Sequence, residues 1–196
     1  MLEDKALYEF VLNFLDEGIP ENYHFHDRHH TEYVYLKSTE IARHEACTEE
    51  EIRLIQAAAL LHDTGYTIKY HQHELESCGL AKEFLPRFSY TPDEIEIICS
   101  MIMATRIPQT PTNKLEEILA DADLEYLGTD LAATEADKLY RELSFLDPAL
   151  TVQVWDERQI KFIGGHRYFT AFCRENREPV KIAYINEIRK RINPAF

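Results

Sequence analysis

Residues 48–66 constrain this chain more than any other stretch, because an apolar helix end, Ala57-Ala58-Ala59-Leu60-Leu61, runs straight into His62-Asp63. Thr48 with Glu51 three residues on forms a capping box, and Ile52, Ile55, Ala59 and His62 recur at the spacing of one helix face. His62 therefore extends a buried stripe. Gly65 is placed to stop the helix by taking a left-handed conformation. An unpaired buried carboxylate is costly, so Asp63 needs positive charge beside it. A metal ion would supply that charge, and a salt bridge or a helix cap would be the plainer answer.

The rest of the chain keeps the helical period and nearly lacks β-branched alternation, which predicts an all-α fold. Residues 4–17 carry Leu7, Phe10, Val11 and Phe14 on one side before Gly18 and Pro20. A second helix is predicted over residues 27–45, with His30 on the inner face above Val34 and Ile41, while His24 and His29 fall on the surface. Residues 64–71 read as a loop, and residues 73–84 as a helix ending before Pro86. Thr91 and Glu94 make a second capping box, with Pro92 in the first turn of a helix that carries Ile95, Ile98, Met101 and Ile102. Asn113 caps a helix predicted over residues 114–127 and ended by Gly128. Its apolar centre lies among Leu115, Ile118, Leu119, Ala122 and Tyr126, and Asp123 is nearer that centre than Asp121. Further helices are predicted over residues 135–145, 155–174 and 180–191.

With 196 residues and 45% hydrophobic content, one well-buried core is expected, hence a single domain over residues 1–196. The 35 acidic residues outnumber 21 basic ones, and the net charge of −14 repels polyanions. That argues against general nucleic-acid binding and against an anionic membrane, and leaves a small phosphorylated molecule as partner if a metal neutralises it. Cys47, Cys78, Cys99 and Cys173 lie far apart without a CxxC motif, which fits a reducing compartment. No early apolar run fits a signal peptide and no stretch approaches membrane-spanning length, so a cytoplasmic location is expected. A homo-oligomer is left open.

The inward-facing ionisable groups are His30, His62, Asp63 and one aspartate of Asp121-Ala122-Asp123, drawn from three helices. Two imidazoles and two carboxylates suit Mn²⁺, Fe²⁺, Co²⁺, Ni²⁺ or Mg²⁺, with positions left for water and substrate. Such a cation draws charge off phosphoryl oxygens and acidifies water, which is the chemistry of phosphoester hydrolysis. Arg106 and Lys114 flank a proline loop where a cation could hold a substrate phosphate. His166, in Gly164-Gly165-His166-Arg167-Tyr168, could close over the site from the C-terminal helices.

In this pattern the chain resembles the HD-domain superfamily of metal-dependent phosphohydrolases, whose signature is a histidine, a later His-Asp doublet and a distant aspartate. His30-Thr31-Glu32, Leu61-His62-Asp63-Thr64 and Ala122-Asp123-Leu124 present these in order. The resemblance covers about residues 20–130 and implies an HD-domain-like helical bundle, with residues 131–196 as accessory C-terminal helices. It implies His30, His62, Asp63 and Asp123 as metal ligands, with Asp63 also catalytic and placed to bridge a second metal. Asp123 is preferred because Ala122-Asp123-Leu124 resembles the Asp-Leu step of the cyclic-nucleotide phosphodiesterase branch. Asp121 is then an alternative ligand or a partner behind the ligands. In that branch an aromatic-histidine pair four residues before the first ligand supplies a general acid, and Phe25-His26 stands there, which implies His26 as proton donor. His73-Glu74 resembles the extra histidine of two-metal members and makes His73 an alternative ligand, but residues 99–106 lack the second one, so a single metal is expected. The glutamate that some nucleotidase relatives place shortly after the doublet is missing. The function implied is hydrolysis of a phosphomonoester or phosphodiester of a small, nucleotide-like substrate. The alternative is a regulatory module that binds a nucleotide or metal without turnover.

Overall fold

The capping box at Thr48 starts the helix on which the fold is centred. In the computed structural model, which describes residues 2–192, Thr48 Oγ1 accepts the Glu51 N–H at 3.2 Å and Glu51 accepts the Thr48 N–H at 2.7 Å. The helix they open, α3 (Glu49–Leu61), is buried at every residue from 57 to 61. A helix buried on all sides must be surrounded. It packs against α1 (Leu2–Gly18), α2 (Arg28–His44), α4 (His73–Phe84), α5 (Pro92–Ala104) and α6 (Lys114–Asp123). Each fully buried leucine or isoleucine there, such as Ile55, Leu60 and Leu61, contributes about 1.5–3 kcal/mol. The fold is all-α, with no strand among the described residues.

Two predicted helices are broken, and in each case tertiary contacts explain the break. The helix expected over residues 114–127 ends at Asp123, and Glu125–Gly128 forms a tighter 3-10 turn. That turn sends Tyr126 and Leu127 into a second apolar cluster with Phe25, Ile163, Ile185 and Ile188. It also buries Glu125, which receives the Tyr33 hydroxyl and the Arg177 guanidinium. The helix expected over residues 155–174 divides into α8 (Val152–Gly165) and α9 (Ala171–Asn176), after α7 (Ala132–Leu146) and before α10 (Glu178–Ile192). Between α8 and α9, the buried Asp121 carboxylate accepts the Phe169 N–H at 2.9 Å, the Thr170 N–H at 2.8 Å and the Thr170 hydroxyl at 2.7 Å. A continuous helix would direct those N–H groups to its own carbonyls, so Asp121 holds the chain in the broken form.

α10 packs on α7, α8 and α9 and on the 3-10 turn after α6, while α9 also touches α2. The candidate site lies at the seam between this second cluster and the core around α3. No helix among the described residues is long and apolar enough to cross a membrane.

Candidate metal centre

His30 and His62 reach the same point from different helices. His30 is held in the first turn of α2, where Asp27 caps the helix by accepting the His30 N–H at 3.0 Å. His62 caps the end of α3, and its Nδ1 donates to the Ala59 carbonyl at 2.8 Å. A carbonyl only accepts, so this bond puts the proton on Nδ1 and leaves a lone pair on Nε2. Asp123, the last residue of α6, brings Oδ1 to 3.1 Å from His30 Nε2 and 3.5 Å from His62 Nε2. Asp63 Oδ2 lies 3.5 Å and 3.2 Å from the same nitrogens. Ligand atoms from His30, His62 and Asp123 all fall within 4.8 Å of one another.

This arrangement fits a divalent cation on its own terms. His62 Nε2 and Asp63 Oδ2 are buried with no hydrogen-bond partner, although each faces other acceptor atoms. Electron pairs facing one another in a dry site call for positive charge between them. Without a metal, protons answer that need. Burial opposes charging of the His62 ring, but the Asp63 and Asp123 carboxylates hold its pKa well above the ordinary histidine value. Burial likewise works against the carboxylates, yet His62 and His73 hold Asp63 well below the usual range, and His30 and His62 hold Asp123 at about 2.

His73, the first residue of α4, also joins this group, with Nε2 at 3.3 Å from Asp63 Oδ1 and its ring stacked on Tyr66 at 3.8 Å. It arrives there because Gly65 lets two backbone segments touch. Gly65 does not take the left-handed conformation expected of it, and no described glycine has a positive φ. A Cβ at this position would instead run into the His73 carbonyl and sit 2.9 Å from the Ser77 nitrogen. The close approach lets the Gly65 N–H donate to Ser77 Oγ at 2.8 Å. Gly65→Ala should therefore cost about 1–3 kcal/mol of stability by overpacking and push His73 away from Asp63. Thermal denaturation and metal titration check this; an unchanged midpoint would refute it.

His26 stands in the loop before α2, its ring centroid 6.1 Å from that of His30. Glu142 of α7 fixes its pose. That carboxylate is 0% exposed and accepts the Phe25 N–H at 3.0 Å, the His26 N–H at 3.1 Å and His26 Nδ1. Burial alone would raise the Glu142 pKa, but the His26 ring and the two backbone donors bring it below the ordinary value. His26 Nε2 then faces the Tyr66 hydroxyl at 3.1 Å. Glu142 was not found from the sequence. The one available signal was its place on the apolar stripe of α7, three residues after Leu139 and beside Leu143.

His26, Asp63, His73 and Asp123 line a cavity of about 310 Å³. Its far wall is apolar and comes from the C-terminal helices, with Leu139 and Leu143 of α7 and Trp155, Phe162 and Ile163 of α8. Arg158 is the only lysine or arginine of this lining among the described residues. Glu74 lines it too, a carboxylate near the doublet in space though eleven residues after Asp63 in sequence. Four of the sequence candidates lie elsewhere. Lys114 opens α6, nine residues and so about 13 Å from Asp123, and pairs with Glu51 at 3.5 Å. Arg106 is exposed and outside the lining, although its neighbours Thr105 and Ile107 are in it. Asp121 faces away from the cavity into the α8–α9 connection. His166 stays outside the cavity, with Nδ1 at 3.0 Å from the buried Lys181 ammonium.

The HD domain family model matches residues 28–125, a span containing His30, His62, Asp63 and Asp123. Among solved structures, a predicted HD superfamily hydrolase from an uncultured Thermotogales bacterium is 21% identical, with 93% of this chain and 89% of that chain covered and a TM-score of 0.64. Bacillus subtilis YpgQ, solved in complex with ADP, is 17% identical, with 97% and 95% covered and a TM-score of 0.67. A protein from Lactobacillus plantarum is 15% identical, with 97% and 96% covered and a TM-score of 0.67. At these identities the likeness is one of fold. No curated protein matches the chain in sequence.

Proposed function

This chain belongs to the HD domain family, and on that premise we propose that it is a metal-dependent phosphohydrolase acting on a phosphomonoester or phosphodiester of a small, nucleotide-like molecule. The observation that carries the reading is the His26–Glu142 pair beside the ligand cluster, because a site that only stored a metal or nucleotide has no use for an imidazole held by a buried carboxylate. His30, His62, Asp63 and Asp123 would hold the metal, and His73 would steady Asp63 from the far side. When bound, a divalent cation withdraws charge from phosphoryl oxygens and acidifies water.

The residues do the rest. Phe25 packs on His30 with ring centroids 4.6 Å apart and keeps that side of the cluster dry. Glu142 holds His26 so that Nε2, which faces the Tyr66 hydroxyl, is placed to deliver a proton to the leaving oxygen as the water oxygen replaces it on phosphorus. Tyr66, stacked on His26 at 4.1 Å, limits the ring to that orientation. The cavity volume is within the range of small-molecule sites, and the apolar wall from α7 and α8 suits a flat base. The ADP bound to YpgQ, a chain of the same fold, supports a nucleotide-like substrate.

The test is a phosphate-release and product screen of mono-, di- and triphosphates, cyclic nucleotides and simple phosphoesters with Mn²⁺, Fe²⁺, Co²⁺, Ni²⁺ and Mg²⁺ in turn. Turnover that a chelator stops and one of these metals restores is expected. Protein that retains metal yet converts none of these substrates would instead be a regulatory module.

A further inference from the structure

A second groove, of about 580 Å³, runs on from the candidate catalytic cavity. The two share Ile107, Arg158 and Phe162 as a common wall, and the groove adds Lys161, His166 and Arg167. Among the described residues no carboxylate lines it, whereas the cavity beside it is lined by Asp63, Glu74 and Asp123. In a chain with a net charge of −14, such a lining is unusual. Many exposed lysines here are neutralised by an acid, as Lys69 is by Glu76 at 2.5 Å and Lys82 by Glu96 at 2.7 Å. Lys161 has no acidic partner among the described residues. Arg167 donates to the Gly164 and His166 carbonyls at 3.1 Å and 2.8 Å, so its charge is not cancelled, and the acid beside Arg158 is Asp147 at 3.7 Å.

His166 adds a donor of fixed identity. The Lys181 ammonium, paired with Glu178 at 2.9 Å, donates to His166 Nδ1 at 3.0 Å, so the ring proton sits on Nε2. That Nε2 is buried without a hydrogen-bond partner. Burial, followed by the Lys181 and Arg167 charges, pushes the His166 pKa down to about 3, which keeps the ring a neutral donor. Arg158, Lys161 and Arg167, in a lining that holds no carboxylate among the described residues and with Asp147 3.7 Å from Arg158 outside it, are the complement of a phosphate, and the His166 N–H lies beside them.

We propose that this groove is a second phosphate subsite, which holds a phosphate that the substrate carries apart from the group cleaved at the ligand cluster. Phe162 and Ile107 would lie under the apolar middle of that substrate. The assignment rests on the hydrolase reading of the neighbouring cavity, and it narrows the substrate to phosphoesters with two separated phosphates.

Two probes that share one nucleoside test it: adenosine 5′-monophosphate and adenosine 3′,5′-bisphosphate, titrated by calorimetry in the presence of Mn²⁺ into protein carrying His26→Ala, which slows turnover. The bisphosphate should bind at least about tenfold more tightly. In Lys161→Ala/Arg167→Ala, both surface changes, that advantage should fall to about twofold or less, with monophosphate affinity unchanged. Equal affinity for the two probes, no bisphosphate binding below about 1 mM, or an advantage that survives the double substitution would overturn the proposal. Because the readout is binding, a chain that shows this preference but fails the phosphate-release screen would lose the hydrolase reading alone.

Discussion

Replacing Asp63 by alanine is expected to abolish metal retention and turnover together. Its Oδ2 faces His30 and His62 at 3.5 Å and 3.2 Å, and its Oδ1 faces His73 at 3.3 Å, so one carboxylate stands among three imidazoles. Without it, a cation at this point loses its most buried negative ligand, and kcat/KM should fall by about three orders of magnitude or more. Metal per chain, measured by elemental analysis, should fall in step. Because removal of a buried charge partner can itself destabilise a protein by about 3–5 kcal/mol, Asp63→Asn serves as the variant of matching shape. It should keep the helical circular-dichroism spectrum and still lose the metal. Activity retained at unchanged metal stoichiometry in either variant would remove Asp63 from the ligand set.

Glu142→Gln should slow the reaction while leaving metal content intact. Glu142 touches no ligand of the proposed metal; it acts through His26, accepting Nδ1 and the His26 and Phe25 N–H groups. Glutamine keeps the shape but has one acceptor oxygen and turns an N–H₂ toward donors, which should cost about 1–3 kcal/mol of stability. With His26 loosely held, kcat should drop about 10- to 100-fold and KM by less than about twofold. The split between kcat and KM at intact metal content separates positioning from mere destabilisation. Glu142→Asp should recover part of the rate. An unchanged kcat, or a loss that tracks metal content alone, would detach Glu142 from catalysis.

Much of the fold was legible because its helices announce themselves locally. The boxes at Thr48 and Thr91 and the Asn113 cap open α3, α5 and α6 where the sequence places them. His30 and His62 could be oriented from period alone, since each continues an apolar face. The breaks at Leu124 and at His166 could not be read in that way. The first is set by what Tyr126 and Leu127 pack against, and the second by Asp121, whose acceptors take the Phe169 and Thr170 N–H groups from 48 and 49 residues away. Lys114 and Arg106 were attractive candidates by proximity in sequence, but the length of α6 and the turn after α5 carry both away from the cavity.

The sequence by itself determined most of the helices, their apolar faces and the inward aspect of His30, His62 and Asp63, and left Asp121 and Asp123 both open, because helical period and capping are properties of neighbours three and four residues apart. Only the tertiary structure decided that His73 reaches Asp63 across the contact at Gly65, that Glu142 grips His26 from 116 residues away, and that α7 and α8 roof the cavity. Those pairings depend on how close two packed backbones come and on which buried polar group finds its partner, and neither distance is encoded in a local period.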